Sequence, residues 1–199
     1  MERRERKLGS DESISAEGRS DRTEDLSALA EMYLQADSYG AALEAVDRAL
    51  ADTDLATPDD PRRVALEAKA VMCLRLQGRH ADGAARGLSV LASLSSSIPA
   101  SARIPLQLEV VDALTSLSRY EEARALAQQA LEAARPLGEP ELMARTLSRT
   151  GVLWMRLGDW LLAREHMEEA RSYFVQLGDE EKIANLNAML GILHKNLCE

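Results

Sequence analysis

Apolar and small residues recur three and four positions apart along most of the chain. Leu26, Leu29, Ala30 and Tyr33 form one such run, and Leu147, Thr150, Gly151 and Trp154 form another. That spacing lines up one face of an α-helix. Each run is followed by a second with the same period: Tyr39, Ala42, Val46 and Ala49 after the first, and Trp160, Ala163, Met167 and Ala170 after the other. Boundary signals separate the runs. Asp60-Pro61 and Glu139-Pro140 put proline where a first helical turn tolerates it. Asp179 precedes Glu180 and Glu181, and acids are favoured at that end of a helix. Gly78 and Gly158 stand where helix C-caps would fall, and Pro136 stops a long run. The pattern predicts nine helices, over about 24–36, 38–52, 61–77, 80–95, 102–117, 119–135, 140–156, 159–177 and 180–197.

The helices come in pairs, and the pairs repeat. Four phrases align: SYGAALEAVDRAL, GRHADGAARGLSVL, SRYEEARALAQQAL and GDWLLAREHMEEAR. With Asp37 in the slot of Gly78, they start at 37, 78, 118 and 158, a spacing of 41, 40 and 40 residues. Each unit is a helix, a tight turn and a second helix. Such units cannot bury their apolar faces alone and are expected to stack. The expected units are 23–60, 61–101, 102–139, 140–179 and a partial 180–199. Ahead of them, residues 1–22 hold six basic and six acidic residues among Gly and Ser, a composition that predicts a disordered tail.

This pattern resembles the tetratricopeptide repeat (TPR). The likeness is carried in unit one by Leu29, Ala30, Tyr33, Tyr39, Ala42 and Ala49, and in unit four by Gly151, Trp154, Trp160, Ala163 and Ala170. Unit three keeps Tyr120, Ala123 and Ala130, and unit two is degenerate, with Val71, Leu74, His80 and Gly83. The period of about 40 residues is longer than the family's usual one and is similar to the TPR regions of bacterial regulators. The resemblance implies an all-α solenoid of about four and a half repeats in a right-handed superhelix. Its first helices would line a concave face that binds protein or peptide.

The composition narrows the function. Lys plus Arg is 24 and Asp plus Glu is 33, giving a net charge of −9 and a pI of about 5.0, which disfavours direct binding to nucleic acid. No apolar stretch is long enough to cross a membrane. Cys73 and Cys198 belong to no CxxC pair, and two reduced thiols fit a cytoplasmic protein. His80, His166 and His194 fall in different units, and no phosphate loop, GxGxxG or HExxH occurs. These features predict no metal, no cofactor and no catalytic residue.

What remains is the face that the resemblance makes concave. There it places Glu24, Ser27 and Glu31 in unit one, Lys69, Met72 and Arg75 in unit two, and Glu109, Asp112 and Thr115 in unit three. Units four and five would add Arg145, Ser148, Arg149, Val152, Arg156, Asn185, Ile192, Lys195 and Asn196. Candidate peptide-binding residues are therefore Lys69, Arg75, Arg145, Arg149, Arg156, Asn185 and Lys195, with Arg145, Arg149 and Lys195 expected to receive an acidic partner. The last predicted helix spreads apolar residues over more than one face, and Met189, Ile192, Leu193 and Leu197 mark a candidate assembly end. Such a flank predicts either a continuation of the chain or self-association. The expected function is a non-catalytic interaction scaffold, the regulatory arm of a larger bacterial signalling or transcription-regulatory protein. The alternative is a stand-alone adaptor that self-associates.

Overall fold

The computed structural model describes residues 16–51 and 57–197, with side chains from residue 22 onward. Among these residues there are nine α-helices: α1 (Ala16–Gln35), α2 (Tyr39–Leu50), α3 (Pro61–Leu76), α4 (His80–Ser93), α5 (Ala100–Ser116), α6 (Tyr120–Ala134), α7 (Pro140–Leu157), α8 (Trp160–Leu177) and α9 (Glu180–Leu197). Each of the expected helices is present. The first begins eight residues earlier than expected, so residues 16–22, assigned to the tail by composition, form its opening turns. Residues 1–15 lie outside the described residues. So does Cys198.

The turn within each pair is one motif used four times. Asp37, Gly78, Ser118 and Gly158 all have positive φ, between 54° and 81°. These are the four positions at which the repeated phrase starts. In each turn the following amide closes back on the first helix, as in Arg79 N to Leu74 O at 2.9 Å and Asp159 N to Trp154 O at 3.0 Å. This left-handed cap satisfies carbonyls that the helix end would otherwise orphan. Glycine suits the slot in two units, and Asp and Ser occupy it in the others at a modest backbone cost. At the other ends, Asp60 accepts a hydrogen bond from Arg62 N at 2.8 Å, Asp159 from Leu162 N at 3.2 Å, and Asp179 from Lys182 N at 3.0 Å. Pro136 falls in a short 3-10 turn, Arg135–Leu137, that closes α6. Pro105 lies inside α5, which starts at Ala100 rather than at 102.

Stacking buries the seams. Helices α3 and α5 sit between neighbours and are apolar around most of their circumference: Val64, Leu66, Ala68, Ala70, Val71, Cys73 and Leu74 are buried in α3. The outer helices of each pair bury one narrow stripe of mainly small residues, such as Ala42, Val46 and Ala49, or Ala123, Ala127 and Ala130. Small side chains let the helices approach closely, and the large ones of the first helices fill the grooves. Gly83, which made unit two look degenerate, occupies the slot of Ala42, Ala123 and Ala163. A methyl group there would meet the Val71 carbonyl at 3.4 Å, an ordinary van der Waals contact like that of the alanines in the other units. Gly87 is tighter, since its methyl group would stand 2.2 Å from Val110 Cγ2. Cys73 is wholly buried and burial pushes its thiol up to about 11, so it serves packing rather than chemistry.

Candidate functional site

The first helix of each pair carries polar side chains in repeat-equivalent slots, and stacking brings slots on neighbouring pairs together. Lys69 Nζ of α3 donates to Ser27 Oγ and Glu31 Oε1 of α1, both at 2.8 Å. Arg75 Nε, one end of α3 further on, donates to Glu109 Oε2 of α5 at 3.2 Å. Arg149 of α7 reaches back to the same pair of acids, with Nη2 2.6 Å from Glu109 Oε1 and Nη1 on Asp112 Oδ2. The partners are separated by 34 to 42 residues, about one repeat. A ladder of charges thus runs across four units.

The electrostatics of the ladder follow from its burial. The Glu109 side chain is only 5% exposed, against 22% for both Arg75 and Arg149. Burial raises the Asp112 carboxyl above the usual carboxylate range and Glu109 adds to this, while Arg149 and Arg75 oppose it. Burial by itself would lower the Arg149 guanidinium, but Asp112 and Glu109 hold it above its ordinary value. A second clamp, unanticipated from the sequence, lies between α2, α3 and α4. There Arg86 holds Glu67 at 2.7 Å and Asp47 at 2.8 Å. Nothing in the spacing of Arg86 distinguishes it from a solvated helix residue.

The ladder changes the standing of the candidate residues. Lys69, Arg75 and Arg149 already have carboxylate partners within the chain. The acidic slots of units one and three and the cations of units two and four are mutual partners in space. Arg156, Asn185 and Lys195 are exposed and Arg145 is half-buried. Among the described residues none of the three cations has an ion-pair partner.

Beside the ladder lies a groove of about 620 Å³, bordered by Arg75, Tyr120, Arg149, Val152, Arg156 and Met189. A second cleft of about 390 Å³ shares Ser148 and Met189 with it and continues over Phe174, Leu186, Ala188 and Ile192. The first is polar with a guanidinium at its rim, and the second is mainly apolar. The structure therefore brings Arg75, Arg149 and Arg156 to one cavity and sets Asn185 beside the other, whereas Lys69, Arg145 and Lys195 border neither.

The apolar end is narrower than the sequence suggested. Leu193, expected in the exposed flank, is fully buried against the α7–α8 core together with Leu186 and Leu190. These three positions share the face that docks on α8. Met189 and Leu197 are half-buried, and Ile192 is 53% exposed.

His166, on α8, is half-buried and turned toward α7. Its Nδ1 lies 2.9 Å from Thr150 Oγ1, and its ring stands edge-on to Trp154. The Thr150 hydroxyl also has the Thr146 and Leu147 carbonyls within hydrogen-bond distance, both at 3.0 Å. Burial lowers the imidazole below its ordinary value. Glu169 opposes this and Arg135 adds to it. Among the described residues no group of three or more His, Cys, Asp or Glu could hold a metal ion, and no helix is long and apolar enough to cross a membrane.

No family model matches the chain, and no curated protein matches it. Solved structures do. A Rap protein complexed with competence and sporulation factor superposes with a TM-score of 0.71 at 15% identity, covering 87% of this chain and 48% of its own. BtubC from P. vanneervenii gives 0.69 at 18% identity, covering 86% and 71%. A Podosopora anserina putative kinesin light chain with TPR-like repeats gives 0.63 at 16%, covering 88% and 96%. The chain spans about half the length of the Rap proteins it matches. The repeated helix pairs, their shared left-handed turn and these superpositions together establish that the chain has a tetratricopeptide-type solenoid fold.

Proposed function

We propose that the chain is a non-catalytic protein-interaction scaffold. Its two joined clefts would receive a peptide or helix that carries a carboxylate near an apolar side chain. The observation that carries this reading is Arg156, exposed and without an ion-pair partner among the described residues, at a cavity that continues into an apolar cleft. Arg156 is free to form a two-pronged contact with a carboxylate, and Met189 and Ile192 offer apolar surface beside it. Arg149 is better assigned to holding the units together, because binding an external acid would mean giving up Glu109 and Asp112. Arg145 and Lys195 supply further positive field outside the clefts.

The likeness to a Rap protein complexed with competence and sporulation factor supports a regulatory role. The half-length match to Rap proteins supports placing this chain as the interaction arm of a larger bacterial signalling or transcription-regulatory protein. A second reading, an adaptor that self-associates through α9, is favoured by the exposed Ile192.

The test is selection of a random peptide library on the full chain, followed by binding to Arg156→Glu. The expected winners carry Asp or Glu within one or two turns of a large apolar residue, and Arg156→Glu weakens them by about tenfold or more. Winners without acidic residues, or with unchanged affinity for Arg156→Glu, would overturn the assignment.

A further inference from the structure

Helix α9 docks on α8 through Leu186, Leu190 and Leu193, all buried. At about 100° per residue, the opposite face of the helix presents Glu181, Ala184, Asn185, Ala188, Ile192 and Lys195. Every one of these is exposed. Neither Glu181 nor Lys195 has an ion-pair partner among the described residues. This differs from the N-terminal end of the same helix, where Lys182 is already tied to Asp179.

The order of these residues is self-complementary. Glu181 stands seven positions before Ala188 and Lys195 seven after; Ala184 stands four before and Ile192 four after. We infer that this face binds a second copy of the same chain, with the two α9 helices antiparallel and crossing at Ala188. The inference gives a geometry to the self-association reading above and rests on it. In that arrangement Glu181 faces the partner subunit's Lys195, and Lys195 faces the partner subunit's Glu181. Ile192 projects over the partner subunit's Ala184, a large side chain against a small one, and the reverse contact repeats across the two-fold axis.

Ala188 at the crossing lets the axes approach to about 8 Å. Seven residues of helix place each charged pair only about 10 Å from the crossing. Long side chains bridge that divergence when the helices pack near-parallel, at about 20°. A parallel pairing would instead set like charges together, Glu181 on Glu181 and Lys195 on Lys195. Charge complementarity therefore selects both the occupant and its direction. A contact of one helix face is small beside standard interfaces, so a weak dimer is expected, with a dissociation constant on the order of 10 µM.

The test is sedimentation equilibrium of the full chain at concentrations up to about 100 µM, well above that dissociation constant. The readout is mass rather than ligand binding, because Ala188 and Ile192 also border the smaller cleft. The wild-type mass is expected to approach twice 21.8 kDa. Glu181→Lys and Lys195→Glu, both at exposed sites, should each raise the dissociation constant by about tenfold or more while leaving the circular dichroism unchanged. An equimolar mixture of the two variants should dimerise again, since each then offers the charge the other needs. A wild-type mass of 21.8 kDa throughout would overturn the self-association reading itself. A wild-type dimer that the two charge reversals do not weaken would leave that reading standing and overturn this pairing.

Discussion

Arg149 makes the sharpest prediction. Replacing it with Met keeps the aliphatic stem and removes the charge, leaving Glu109 with Arg75 alone at 3.2 Å and Asp112 with Arg75 at 3.9 Å. Breaking a fully buried ion pair by removing one partner costs about 3–5 kcal/mol. Here Arg149 is 22% and Asp112 25% exposed, and Arg75 continues to neutralise part of the charge, so screening reduces the figure to about 2–3 kcal/mol. For a chain of this size that corresponds to a fall in Tm of about 5–10 °C. Urea unfolding followed by far-UV circular dichroism would measure it. Arg145→Met, on the same helix and without an ion-pair partner among the described residues, is the control and should change stability by no more than about 0.5 kcal/mol. The double variant Arg149→Met, Glu109→Gln should recover part of the loss, with a coupling of about 1 kcal/mol or more. If Arg149→Met and Arg145→Met were equally harmless, the ladder would be a set of solvated charges, and Arg149 would return to the groove as a free anion receptor.

Two further expectations test the packing and the pH response. Gly87→Ala gains about 1 kcal/mol of helix propensity but drives a methyl group into Val110 at 2.2 Å, so a net loss of about 1–2 kcal/mol is expected; a stabilised variant would show that α4 and α5 stand further apart. His166 has its folded-state value lowered, mainly by burial, so the unfolded chain binds the proton more readily. Its contribution to stability is therefore present above its ordinary value of 6.5 and is lost as pH falls through the folded-state value. Unfolding at pH 7 and pH 5 should show a larger acid loss for wild type than for His166→Gln, and equal losses would remove His166 from the account.

Much of the fold was legible in the sequence, because each unit is specified locally. Spacing of three and four named the helices, and the repeated phrase placed a tight turn in each unit with Gly78 and Gly158 as caps; the left-handed conformation shared by Asp37 and Ser118 is visible only in the structure. The same alignment puts Gly83 in the slot that alanine fills in the other units, whereas the glycine that the packing requires in that helix is Gly87. The start of α1 was missed because its opening residues are polar and carry no periodic signal. The site was much less legible. The polar positions of the first helices were identifiable as one stripe, but not which of them would be consumed.

That division has a physical cause. Helix formation, capping and burial of a stripe are set by residues within a few positions of one another, so the repeat, its turns and its stacking seams follow from local sequence. The pairing of Lys69 with Glu31, and of Arg75 and Arg149 with Glu109 and Asp112, joins residues about one repeat apart. It depends on how far one pair is rotated on the next, which no local pattern encodes. The packing of one pair on the next is what neutralises these charges, turns Leu193 inward, and leaves Arg156, Ile192, Glu181 and Lys195 exposed.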